Sequence, residues 1–79
     1  MYNLKDVLLD RIDTLVFAAD MLGDIDTGAM TELVFILQKY DLITTLESDS
    51  LMMLYLEVLQ GKRHYSLDCV RRIVPYNEP

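Results

Sequence analysis

Between residues 4 and 22 the apolar side chains follow a rhythm that leaves little choice of fold. Leu4, Val7, Leu8, Ile12, Leu15, Val16, Ala19 and Leu22 fall within an arc of about 180° if each residue advances the chain by about 100°. That is one face of an amphipathic helix, and it does not fit the two-residue period of a half-buried strand. Asn3 precedes the run as an N-cap, Asp6 lies in the first turn where the helix dipole favours an anion, and Gly23 follows as a residue that takes positive φ at little cost. The spacing predicts a helix over 4–22.

The rest of the chain repeats this grammar. Residues 23–28 combine turn formers with capping residues, so Asp26 or Thr27 caps a second helix over 28–40 with a core stripe of Met30, Leu33, Val34, Leu37 and Tyr40. The stretch Leu42-Ile43-Thr44-Thr45-Leu46 suits either a helical turn or an irregular connection. A third helix is expected over 49–60, starting after Ser48 or Asp49 and stopping at Gly61. Its segment Leu51–Leu59 carries one charge, so it should be the central helix, buried on most sides. The competing buried strand is disfavoured by its Leu and Met content. After the loop Lys62-Arg63-His64-Tyr65, Ser66 caps a short helix over 67–74. Tyr65 and Val70 are spaced for a hydrophobic staple, Pro75 is a stop, and residues 76–79 form a loose tail. The expected fold is all-α: a compact bundle of three main helices plus a short C-terminal helix, forming a single domain over 1–79.

Size and charge then limit what such a bundle does. A chain of 79 residues buries only about 60% of the surface that its unfolded form exposes, so small domains add disulfides, a metal or oligomerisation. Cys69 is the only cysteine, which closes the disulfide route and suggests a reducing compartment. With no basic start leading into an apolar run, and no apolar run near the roughly 20 residues of a membrane span, a cytoplasmic protein is expected. The net charge of −6 is unevenly placed: residues 1–59 hold 3 basic and 11 acidic side chains, a balance of −8, and residues 60–79 hold 4 and 2, a balance of +2. An acidic body repels phosphate, which disfavours nucleic acid as a partner.

Candidates for chemistry are few. His64 and Cys69 stand five residues apart with nothing in the spacing to bring them within hydrogen-bond reach, so Cys69 reads as a small buried side chain and His64 as a solvated loop residue. A structural zinc site needs four nitrogen or sulfur ligands and the chain offers two. Asp24, Asp26 and Glu32 lack the ligand order of a calcium loop. No catalytic residue, metal or cofactor is expected.

Surfaces are the stronger signal. Asp6, Asp10, Asp13 and Asp20 share one side of the first helix, opposite its apolar stripe, with Phe17 among them. A solvated face that keeps a small protein soluble explains such a row. An aromatic ringed by carboxylates also has the form of an interface anchor with a polar rim, and these five residues are the candidate partner-binding surface. Phe35 points away from the stripe of the second helix, and Met21, Ile36 and Met53 also lie off-stripe. Together they are the candidate oligomerisation residues, with a homodimer as the expected assembly. Lys62, Arg63, Arg71 and Arg72 form a basic end, which suits charge pairing with the acidic first helix of a neighbouring subunit, or contact with nucleic acid in a helix-turn-helix reading. The expected function is therefore a non-enzymatic protein–protein interaction module: a small acidic regulator or inhibitor that dimerises and occupies a partner protein. Its size and acidity suit a phage-encoded antirepressor or nucleic-acid mimic, and the alternative is a small DNA-binding regulator that uses the basic C-terminal segment.

Overall fold

The computed structural model describes residues 3–76. Three α-helices account for most of them: α1 (Leu4–Phe17), α2 (Thr27–Lys39) and α3 (Thr45–Leu59). Among the described residues there is no strand, and no helix is long and apolar enough to cross a membrane. The start of the chain before Asn3 and the expected tail beyond Tyr76 lie outside the described residues.

Asn3 caps α1, its Oδ1 accepting the Asp6 N–H at 2.9 Å. The helix does not stay α-helical to residue 22. A single π turn, Ala18–Leu22, completes it before Gly23 turns left-handed at φ 66°. Asp26 caps α2 through the Ala29 N–H, and Asp41, at φ 59°, takes the left-handed position after that helix. Two further contacts fix how the helices meet. Tyr55, buried in α3, presents its hydroxyl oxygen to the Asp26 N–H at 2.9 Å, tying the middle of α3 to the start of α2. Gln38 near the end of α2 donates to the Thr45 hydroxyl at the start of α3.

The third helix begins four residues earlier than expected. Thr44 and Glu47 form a reciprocal capping box: the Thr44 hydroxyl accepts the Glu47 N–H at 3.0 Å, and the Glu47 carboxylate accepts the Thr44 N–H at 2.8 Å. This pair satisfies two backbone donors that any later start would leave to Ser48 or Asp49 alone. Residues 40–44 are the whole of the connection, with Tyr40 and Thr44 as its two caps. Nor is α3 buried all round, because Met53 and Leu56 face outward.

The C-terminal helix expected over 67–74 does not form, and with it goes the staple geometry. Those residues make a chain of turns, beginning with the Cys69 N–H on the Ser66 carbonyl, and Asp68 adopts φ 71°, a conformation that no α-helix continues through. Two isolated turns gain little from propensity. Bent as it is, the segment buries Cys69, Val70 and Val74 against the helices and leaves Leu67 outside.

Its packing also turns α1. The buried residues of α1 are Leu9, Ile12 and Val16, while Leu4, Val7 and Leu22 are exposed. Leu8, Leu15 and Ala19 of the expected stripe stay half buried against the core, so at about 100° per residue the inward face is rotated by roughly 45° from the expected arc. Tyr40, expected in the stripe of α2, is likewise exposed. The core is built from Leu9, Ile12, Val16, Met30, Val34, Leu37, Ile43, Leu51, Leu54, Tyr55 and Val58, closed on one side by the C-terminal segment.

Candidate interaction surfaces

The acidic side of α1 is where residues 64–76 are fastened. Arg71 donates from Nη2 to Asp6 at 3.1 Å and lies 3.6 Å from Asp10. The Tyr65 hydroxyl donates to Asp13 at 2.9 Å. Asp20 accepts twice, from the Tyr65 N–H at 2.7 Å and from His64 Nδ1 at 3.1 Å. All four carboxylates of the stripe are thus met by the same chain. Because α1 is rotated, Asp6, Asp13 and Asp20 flank the core and are partly buried, and only Asp10 points to solvent. The π turn matters locally, since its wider i→i+5 hydrogen bonding carries Asp20 to the point where the chain re-enters at Tyr65.

Charge and hydrogen bonding reinforce one another there. Donation from the Tyr65 backbone N–H, helped by His64, holds the Asp20 carboxyl below the usual carboxylate range. Partial burial, together with the hydrogen bond to Asp13 and the charge behind it, pushes the Tyr65 phenol up to about 12. The side chain of Arg71 is 9% exposed, its guanidinium lying 3.8 Å from the centre of the Tyr76 ring and against the two carboxylates. Its Nη1 is buried and unpaired among the described residues, a cost that the ion pairs and the aromatic stack must offset. A cleft of about 100 Å³ opens beside it, lined in part by Asp10, Asp13, Asp68 and Tyr76. That is well below the roughly 300–1,000 Å³ of a small-molecule site.

Phe17 is 40% exposed, and its ring meets that of Tyr65 edge to face, with centroids 5.2 Å apart and an interplanar angle of 87°. The expected anchor is therefore half covered from within. At the basic end, Arg63 pairs with Glu57 at 3.3 Å on the surface, and Lys62 and Arg72 are exposed. His64 faces Asp20, and Cys69 is buried and lies outside any helix. Among the described residues no three His, Cys, Asp or Glu side chains gather as metal ligands. The Asp26 carboxylate is turned to its own helix as a cap.

The remaining apolar candidates lie elsewhere. Phe35 on α2 is 62% exposed beside Gln38 and Lys39, and Met53 on α3 is 52% exposed beside Asp49, Met52 and Leu56. Met21 is exposed in the π turn, whereas Ile36 is half buried. Tyr65, expected only as a staple residue, makes three of the contacts that hold the C-terminal segment, and Leu9, outside the expected stripe, is fully buried. The signal for both was the split of charge between body and tail: oppositely charged parts of one chain meet at far lower entropic cost than parts of two.

Fold and site together define a small all-helical domain whose acidic first helix is clasped by its own basic C-terminal segment. Comparison with known protein families, curated proteins and solved structures finds no match to this chain.

Proposed function

We propose that this protein is a non-enzymatic interaction module, a small acidic regulator or inhibitor that dimerises and binds a partner protein by surface occupancy. The observation that carries the reading is the set of large apolar side chains held outward on rigid helices, Phe35 on α2 and Met53 and Leu56 on α3. Single exposed apolar residues are ordinary. Here they stand at helical positions whose neighbours are already fixed by caps and by the Tyr55 and Gln38 contacts, so a partner meets them with little ordering cost. The acidic face of α1 contributes the open edge of Phe17 and Asp10, which is the one exposed carboxylate of the four although it lies 3.6 Å from Arg71.

The competing DNA-binding reading loses ground on two counts. Its recognition helix is a set of turns, and Arg71, one of its two reading side chains, is held by Asp6, Asp10 and Tyr76. The test of our reading is affinity capture with the wild-type chain beside Phe35→Ala, Met53→Ala and Phe17→Ala variants, each first shown by circular dichroism to keep its helices. A partner retained by the wild type and lost with Phe35→Ala or Met53→Ala supports the module. Equal retention by all four chains rejects this surface as the binding face.

A further inference from the structure

The rotation of α1 has a consequence on its other side. Leu4, Val7, Arg11, Thr14, Ala18 and Leu22 follow one another at spacings of three and four, which places them in a single row along α1 and the π turn. The core does not claim this row: Leu4 is 55% and Leu22 70% exposed, with Val7, Arg11 and Thr14 also open to solvent and Ala18 half buried. At 1.5 Å per residue it runs about 28 Å, most of the 34 Å long dimension of the molecule. A shallow groove lined by Val7, Asp10, Arg11 and Thr14 marks its middle.

We infer that this row is the self-association face, and that its occupant is a second copy of the chain packed antiparallel along α1. This rests on the dimerisation in our functional reading and supplies its interface. The reason lies in the order of the residues. When the row is laid against its own reverse about a two-fold axis between residues 12 and 13, Leu4 comes within one residue of Leu22 of the other copy. Val7 meets Ala18, and Arg11 meets Thr14. Large apolar residues thus meet at both ends, a large residue meets a small one next to them, and the polar pair meets at the centre. Charge complements the register. Arg11 makes no ion pair among the described residues, and the neighbour of Thr14 one turn away on the same groove is Asp10, the outward-facing carboxylate of the acidic stripe. The two-fold axis brings each Arg11 towards the Asp10 of the other copy, twice per dimer. A parallel pairing would instead stack Arg11 on Arg11, and a foreign partner has no reason to match the reversed order.

Sedimentation equilibrium and directed cross-linking test this. The wild-type chain is expected to sediment at twice its 9.2 kDa mass and to dissociate on dilution or in high salt. Arg11→Glu converts both ion pairs into repulsions, and should weaken dimerisation at least about a hundredfold with unchanged helical circular dichroism. For register, a mixture of Val7→Cys and Ala18→Cys chains should form a mixed disulfide on mild oxidation, while neither variant alone links to itself. The native Cys69 is buried and stays out of the reaction. Self-linking of the Val7→Cys chain, or an Arg11→Glu chain that dimerises as tightly as wild type, overturns the α1 interface. If such a dimer is instead broken by Phe35→Glu, the interaction-module reading stands and only this interface falls. A wild-type mass of 9.2 kDa at all concentrations removes both this inference and the dimer half of the functional reading, and leaves partner capture to decide the rest.

Discussion

Replacing Tyr65 by Phe isolates one contact of the C-terminal clasp. The substitution deletes only the hydroxyl that donates to Asp13 at 2.9 Å, leaving the ring against Phe17 and the backbone N–H on Asp20. A hydrogen bond to a charged acceptor contributes about 1.5–3 kcal/mol. Asp13 is only partly buried, so water re-solvates it once the hydroxyl is gone, and the lower end, about 1.5 kcal/mol, is the expected loss. For a domain of this size that lowers the melting temperature by roughly 6–12 °C. Urea unfolding followed by far-ultraviolet circular dichroism measures it, and an unchanged slope would show that the fold is retained. The pH dependence adds a second check. The Tyr65 pKa is raised on folding from 10.0 to about 12, so the stability it contributes is fully present below pH 10 and is lost as pH rises towards 12. The gap between wild type and Tyr65→Phe should therefore be constant up to pH 9.5 and shrink above pH 10. A gap under about 0.5 kcal/mol, within the ordinary scatter of surface substitutions, or one that stays the same at pH 9 and pH 11.5, would refute the clasp as described.

Other substitutions probe the remaining elements. In the same denaturation assay, run at a dilution where the chain is monomeric, Leu9→Ala should cost about 2–5 kcal/mol and Leu4→Ala less than about 0.5, because Leu9 is fully buried and Leu4 is not; the reverse order would contradict the rotation of α1. Thr44→Ala should cost about 1 kcal/mol by breaking the capping box, with amide exchange accelerating first over residues 45–48. Asp20 has its pKa lowered on folding from 3.8, so its contribution is present above that value and is lost as pH falls through the lower folded value. An Asp20→Asn chain should then lose stability less steeply than wild type on acidification below pH 4, as read from urea midpoints.

Much of this molecule is legible locally. Helix formation over 4–17, 27–39 and 45–59 follows from periodicity and caps that lie within a few residues of one another. Asn3, Asp26 and Gly23 act where their chemistry says they should. The capping box was equally visible, since Thr44 stands three residues before Glu47, but the apolar run at 51–59 drew the boundary too late. Whether 67–74 would be helix was decided elsewhere. A segment of about two turns gains little from helix propensity, and the conformation it takes, with Asp68 at its second position left-handed, is the one that buries Val70 and Val74 and lands Arg71 on Asp6. The orientation of α1 followed from the same choice. Periodicity reports that a helix has an apolar side, but the apolar residues of α1 span a wide arc, and tertiary packing, with the C-terminal segment joining the core beside Leu9, decided that the edge at Leu9 went inward and the edge at Leu4, Val7 and Leu22 stayed out. Sequence alone thus determined that the chain is helical, acidic in its body and basic at its end. Tertiary structure decided that those two charges meet within one molecule, because tethered partners find each other before separate ones do.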